Sequence, residues 1–313
     1  MISAEQLPYV AGLLIILLLI PIVTTVLVRI FVPLTEPEYA PDNGPAAPVD
    51  MGPGFETLSD FWKSMVPHLI ELRDRLVKAL GAVAIGTMAG FWMVNTPSFL
   101  GKPLPDLMVL HLAPAGTKLQ AIGVGELFLG YMQIALIVGI SIAMPVLVYQ
   151  LVAFFAPALL QNEKRILYTA LPFVTELFLA GLAFGWFITV PAALTFLLGY
   201  GQTDVVQTQP TWNSFIDVTT TLLLWNGVIF ELPAIIYLLA RLGVVTAAKL
   251  GEWRRYAIVV ITVIAALITP TGDPFNLLLL AVPMYMLFEL GILLARFVPK
   301  KKEEEELSPA ATA

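Results

Sequence analysis

Long apolar runs at 9–32, 77–94, 127–154, 166–190, 216–240, 256–268 and 276–297 decide what this chain can fold into. Crossing a bilayer as a helix takes about 20 apolar residues, and most of these runs reach or approach that length. Only 13% of residues are charged and 58% are hydrophobic, against roughly 25% charged in soluble domains. The reading is all-α and polytopic, with seven spans. Residues 256–268 are the exception, being too short at about 1.5 Å per residue to cross a core about 30 Å thick. The last two runs are read as short spans, which either thin the bilayer, hide inside the bundle, or extend past these bounds.

Charge fixes an orientation. Alternate loops assigned to opposite sides leave only Lys102 and Lys118 on one side, and the rest of the 17 Lys and Arg on the other. Positive residues stay inside, so the N-terminus is read as outside and the C-terminal tail as cytoplasmic. Four parts follow: 1–33, an N-terminal transmembrane helix; 34–57, an acidic Pro-rich linker; 58–298, a six-span membrane domain; and 299–313, a charged tail. The linker carries Glu36, Glu38, Asp42 and Asp50 with no basic residue, a composition that favours a solvated spacer.

Absences exclude several chemistries. There is no cysteine, so thiol catalysis and zinc-thiolate sites are out. His68 and His111 are too few for a histidine metal site, and no Gly-rich phosphate loop ends in Lys-Ser or Lys-Thr. No nucleophile–base set is present for an intramembrane enzyme. The expectation is a protein that is not an enzyme, needs no cofactor or metal and binds no nucleic acid.

The segment 67–80, between linker and first core span, is amphipathic. On a helix, Glu71, Asp74, Arg75 and Lys78 fall on one face and Leu69, Leu72, Leu76 and Leu80 on the other. Such a helix lies at a water–apolar boundary, and Pro67 suits its first turn. Arg73 projects into the apolar face. It either snorkels to lipid phosphate or pairs with a carboxylate on another helix, for which Glu289 is a candidate.

Ionisable residues inside spans are expensive there. Glu231 shares a face with Thr220 and Gly227, small and polar enough to line a groove. Glu176 shares one with Thr169, Ala180 and Ala183. Asp273 sits in a tight outer turn, where Asp is simply a good turn residue. On the cytoplasmic side, Glu71 and Glu163 stand among many bases. Isolated carboxylates there can capture guanidinium groups through bidentate bonds, or be neutralised locally, Glu71 by Arg75 and Glu163 by Lys164 or Arg165.

His68-Leu69-Ile70-Glu71-Leu72-Arg73-Asp74-Arg75-Leu76 resembles the signature of the TatC family of twin-arginine protein translocase subunits. The run from Tyr149 to Leu159 followed by Glu163-Lys164-Arg165 is similar to that family's first cytoplasmic loop. Phe230-Glu231-Leu232-Pro233 resembles its fourth-helix motif. Thr269-Pro270, Asp273, the run Ala281 to Tyr285, and Phe288-Glu289-Leu290-Gly291 resemble its last two helices. The resemblance covers about residues 60–297 and implies a six-helix TatC-like bundle with one additional N-terminal helix.

By that resemblance the chain is a receptor for signal peptides bearing consecutive arginines, exporting folded proteins on the proton gradient. It implies single-span TatA/TatB-type partner subunits, a homo- or hetero-oligomer in lipid, and the cytoplasmic membrane of a prokaryote. It places Glu71 and Glu163 on the arginine pair, with His68, Arg73 and Arg75 in the same recognition region. Glu231 falls in a membrane groove facing a partner helix, and Glu176 has no matching family position. The extra N-terminal span departs from the family pattern. An alternative from another class is a proton-coupled small-solute transporter with Glu176 and Glu231 as its proton path.

Overall fold

A computed structural model describes residues 58–96, 102–155, 161–203, 208–269 and 272–298, with side chains at all of these except 58–64, 155 and 161–170. The expected N-terminal span, the acidic linker and the charged tail lie outside the described residues. Among the described residues, five helices are long and apolar enough to cross a membrane, and there is no strand beyond a single bridge.

The first helix, α1, runs Leu58–Asn95 as one piece of 38 residues, about 57 Å long. The amphipathic segment and the first core span are therefore continuous. Pro67 does not open the helix as expected but sits inside it. A short helix, α2 (Leu104–Leu112), follows, and α3 (Glu126–Phe155) returns through the bundle. Gly86 and Gly90 of α1 are buried. A Cβ on Gly86 would lie 2.5 Å from the Gly139 carbonyl oxygen of α3, and one on Gly90 would lie 2.6 Å from the Ala135 oxygen. The two backbones touch because no side chain separates them, which is the small-residue contact that holds helices together in lipid.

The next crossing is α4 (Gln161–Phe184), a π-helical turn at Gly185–Thr189, and α5 (Val190–Gly199). Asn226 shapes this wider turn from the neighbouring helix. It receives a bond from the Thr189 hydroxyl (3.3 Å) while its own amide donates to Leu222 O (2.7 Å). That neighbour, α6 (Trp212–Phe230), starts four residues before the expected boundary because Thr211 caps it, accepting from the Ser214 amide (3.2 Å). The helix breaks at Glu231 and resumes as α7 (Leu232–Arg241), with Pro233 in its first turn. At the end of the bundle where α6 begins, the amide of Trp212 donates to Gln120 O (2.8 Å), tying two loops together.

A six-residue helix, α8 (Ala247–Glu252), leads into α9 (Arg254–Ile268) and α10 (Pro274–Arg296). Only one of the last two spans is short. The 15 residues of α9 cover about 22 Å, while the 23 of α10 cover about 35 Å and cross a full core. The expectation that both are short fails for the second, whose expected run 276–297 is already long enough to cross; Asp273 caps it two residues earlier, at Pro274. The central core joins α3, α5, α6, α9 and α10 around Ile134, Val190, Ile216, Ala265 and Leu280.

Candidate functional site

Packing of α1 against α3 settles which ends of the helices lie together. Gly86 faces Gly139, and Gly90, farther along α1, faces Ala135, earlier in α3, so the two helices are antiparallel. Counting 1.5 Å per residue, Glu71 lies about 22 Å before the glycine contact and Phe155 about 24 Å beyond it on α3. The Glu71 level of α1 and the junction between α3 and α4 therefore share one end of the bundle. Glu163 is the third residue of α4, at that same end. A carboxylate in a first helical turn also meets the positive end of the helix dipole. Its side chain, with those of Lys164 and Arg165, is outside the described set.

Glu71 is half-buried and accepts both of its described bonds on one oxygen. Arg75 Nε donates to Oε1 at 2.9 Å and Arg75 Nη2 to the same atom at 2.5 Å. The local neutralisation weighed from sequence is therefore real, and it is a guanidinium that supplies it. Arg73 does not enter a buried pair. Its side chain is 69% exposed and bonds its neighbour Asp74 at 2.8 Å. The candidate partner Glu289 is taken by another helix: Arg254 donates to both its oxygens at 2.7 Å, and the Tyr285 hydroxyl donates at 2.9 Å. The two residues are 35 apart in sequence, so nothing in the periodicity announces the pair. His68 is exposed on α1.

Glu231 is 6% exposed, and neither carboxyl oxygen has a hydrogen-bond partner among the described residues. The face it was expected to share with Thr220 and Gly227 is divided. Phe178 of α4 packs over Gly227, leaving a Cβ there only 2.7 Å from the ring. Thr220 alone of the three opens on a cavity of about 210 Å³, with Leu223, Ile134, Ser141, Leu179 and Ala183 among its walls. Neither Glu231 nor the partly buried Glu176 lines it. The cavity's hydroxyl-bearing walls are Thr220, which takes a bond from Gln133 Nε2 at 2.8 Å, and Ser141, which donates to Ile137 O at 2.8 Å.

Asp273 is a helix cap. Oδ1 accepts the Asn276 amide and Oδ2 the Asn276 side chain, both at 2.8 Å, which accounts for it as a structural residue. Among the described residues no cluster of three His, Cys, Asp or Glu can hold a metal. The sequence reading missed the contact of Gly86 and Gly90 with Gly139, although a small residue repeated at four in an apolar run is its signal.

An all-helical bundle with five helices long and apolar enough to cross a bilayer among the described residues has the architecture of a multi-pass membrane protein. Comparison with known proteins gives the particular family. Residues 67–283 match the model of the Sec-independent protein translocase protein TatC. The Haemophilus influenzae Sec-independent protein translocase protein TatC is 38% identical over 243 residues, covering 77% of this chain and 91% of that one. The Desulforapulum autotrophicum protein of the same description is 34% identical, covering 76% of this chain and 86% of that one. A crystal structure of the twin-arginine translocase receptor TatC superimposes with a TM-score of 0.63 at 33% identity, covering 74% of this chain and 99% of that chain. The chain belongs to the TatC family and is a multi-pass, non-enzymatic translocase subunit of a prokaryotic membrane.

Proposed function

We propose that this subunit receives twin-arginine signal peptides at the end of the bundle where α1 emerges and α4 begins. The observation that supports this is Glu71, a half-buried carboxylate already shaped to hold a guanidinium and holding it on one oxygen only. An incoming arginine displaces Arg75 from Oε1 or takes the free Oε2. Glu163, at the same end, takes the second arginine of the pair. Charge-assisted bonds of this kind contribute about 1.5–3 kcal/mol each, so two carboxylates discriminate paired arginines from a single one. Arg73, Arg75 and His68 border the site, and the arginines repel cations in general, so that only a guanidinium able to bond the carboxylates is held.

The orientation rests on the Lys/Arg distribution, with this end cytoplasmic, the C-terminal tail on the same side and the N-terminus outside. The core 58–298 acts as the six-span receptor. The expected span at 1–33 and the linker at 34–57 precede it in the chain. Single-span TatA/TatB-type subunits complete the translocase, which assembles as an oligomer and exports folded precursors on the proton gradient. Glu231 serves that assembly from within the membrane, and Glu176, part-way along α4, is a second candidate contact. A proton-coupled solute transporter gains nothing here, since neither carboxyl lines the cavity.

Site-specific crosslinking of a twin-arginine precursor to Glu71→Lys and Glu163→Lys variants tests the recognition. Loss of the crosslink in both, with wild-type protein levels in the membrane, is the expected result. A crosslink of undiminished yield in both removes Glu71 and Glu163 from recognition.

A further inference from the structure

The cytoplasm-facing corner between α7 and α9 is built differently from the Glu71 region of α1. Arg241 closes α7, and a tight turn follows at Gly243, whose φ of +73° needs a residue without a side chain. Helix α8 then packs against α7 and α10. Its Leu250 is buried against Ile236 of α7 and Ile292 and Ala295 of α10, so α8 is pinned in place. That anchoring leaves Lys249 and Trp253 exposed at its far side, next to the exposed Arg255 and Tyr256 of α9.

Three cations in this corner rest on aromatic faces. Lys249 Nζ is 5.7 Å from the Trp253 ring, Arg255 Cζ is 4.8 Å from the Tyr256 ring, and Arg241 Cζ is 5.8 Å from the Tyr237 ring. Such contacts hold a cation without neutralising it. The neighbouring carboxylate Glu289 is saturated by Arg254 and Tyr285. Glu252 is then the one carboxylate between 237 and 256 set against Arg241, Lys249 and Arg255. The start of α9 adds to the positive field, because no side chain caps its first-turn amides. Val244 at 61% and Trp253 at 53% exposure give the corner an apolar rim. Free phosphate has no use for such a rim, whereas lipid chains cover it.

We propose that this corner binds the phosphate headgroup of an anionic membrane lipid. Lys249 and Arg255 hold the phosphate beside the start of α9, and Trp253 and Tyr256 sit at headgroup depth, where such rings are favoured. Lipid thereby clamps α8 and the α7–α9 connection on the bundle end. The site takes no residue of α1 or α4, so it stands or falls apart from signal-peptide recognition.

The test is native mass spectrometry of the full chain released from detergent with phosphatidylglycerol, cardiolipin or phosphatidylcholine. Each cation near an anionic headgroup contributes about a fivefold factor in affinity. The wild type is expected to retain an anionic lipid and not phosphatidylcholine. Lys249→Gln with Arg255→Gln should lose it by more than about tenfold, while Lys102→Gln with Lys118→Gln on the opposite side should keep it. Lys249→Arg should keep it as well, which separates charge from folding, and lipid-free melting in detergent should match across the set. Equal retention by the Lys249/Arg255 double variant, or equal retention of phosphatidylcholine, overturns the site. Displacement of the lipid by millimolar inorganic phosphate overturns the lipid assignment.

Discussion

Replacing Gly86 with alanine probes the packing that sets the receptor end in place. The new Cβ would stand 2.5 Å from the Gly139 carbonyl oxygen, where ordinary van der Waals contact begins at 3.4 Å. The obstacle is backbone on a packed helix, so no side chain can turn aside. The two helices must separate locally by about 0.9 Å, and close-packed interiors do not absorb such a shift freely. Overpacking of this kind destabilises by about 1–3 kcal/mol. The control is on the same helix. Gly81 has nothing within 4 Å of an added Cβ, so Gly81→Ala gains helix propensity of about 0.5–1 kcal/mol. The two substitutions are chemically identical, and their effects should have opposite signs. Reversible unfolding in mixed micelles, followed by far-ultraviolet circular dichroism, measures both. If Gly86→Ala is as stable as wild type, or Gly81→Ala is equally damaging, the account of α1–α3 contact is wrong.

Two further substitutions address carboxylates with different surroundings. Because neither oxygen of Glu231 has a described partner, Glu231→Leu should stabilise the isolated subunit by about 1–3 kcal/mol. Loss of precursor export in the same variant would then reflect assembly or transport and not misfolding. A melting temperature well below wild type would show that the carboxyl has a partner in the folded protein. Asp273→Ala should lower stability by about 1 kcal/mol through loss of the α10 cap, with Asp273→Asn or Ser restoring most of it. Export activity in Asp273→Asn should stay near wild type, and its collapse would give Asp273 a role beyond capping.

Residue order alone carried the membrane class, because apolar runs of this length have few other physical outcomes. It also carried the family, through short motifs such as His68–Leu76 and Phe230–Pro233. Helix ends were less legible: α6 began at a threonine cap and α10 at an aspartate cap, polar residues that a hydropathy run discards. Periodicity placed Arg73 on the apolar face of α1, yet its long side chain reached Asp74 in solvent, a choice made by flexibility rather than by helix register.

What the chain's order determined is therefore local: which stretches are helices, how they are inclined to cross, and which residues carry charge. What only the folded arrangement decided is pairwise. Gly86 and Gly139 are 53 apart in sequence, Arg254 and Glu289 are 35 apart, and nothing in either neighbourhood names its partner. Backbone contact at the glycines sets α1 antiparallel to α3 and brings Glu71 and the start of α4 to one end. Phe178 over Gly227 closed the face that spacing alone had left open beside Glu231. Contacts across helices depend on which side chains leave room, and that is a property of the packed bundle rather than of any single run.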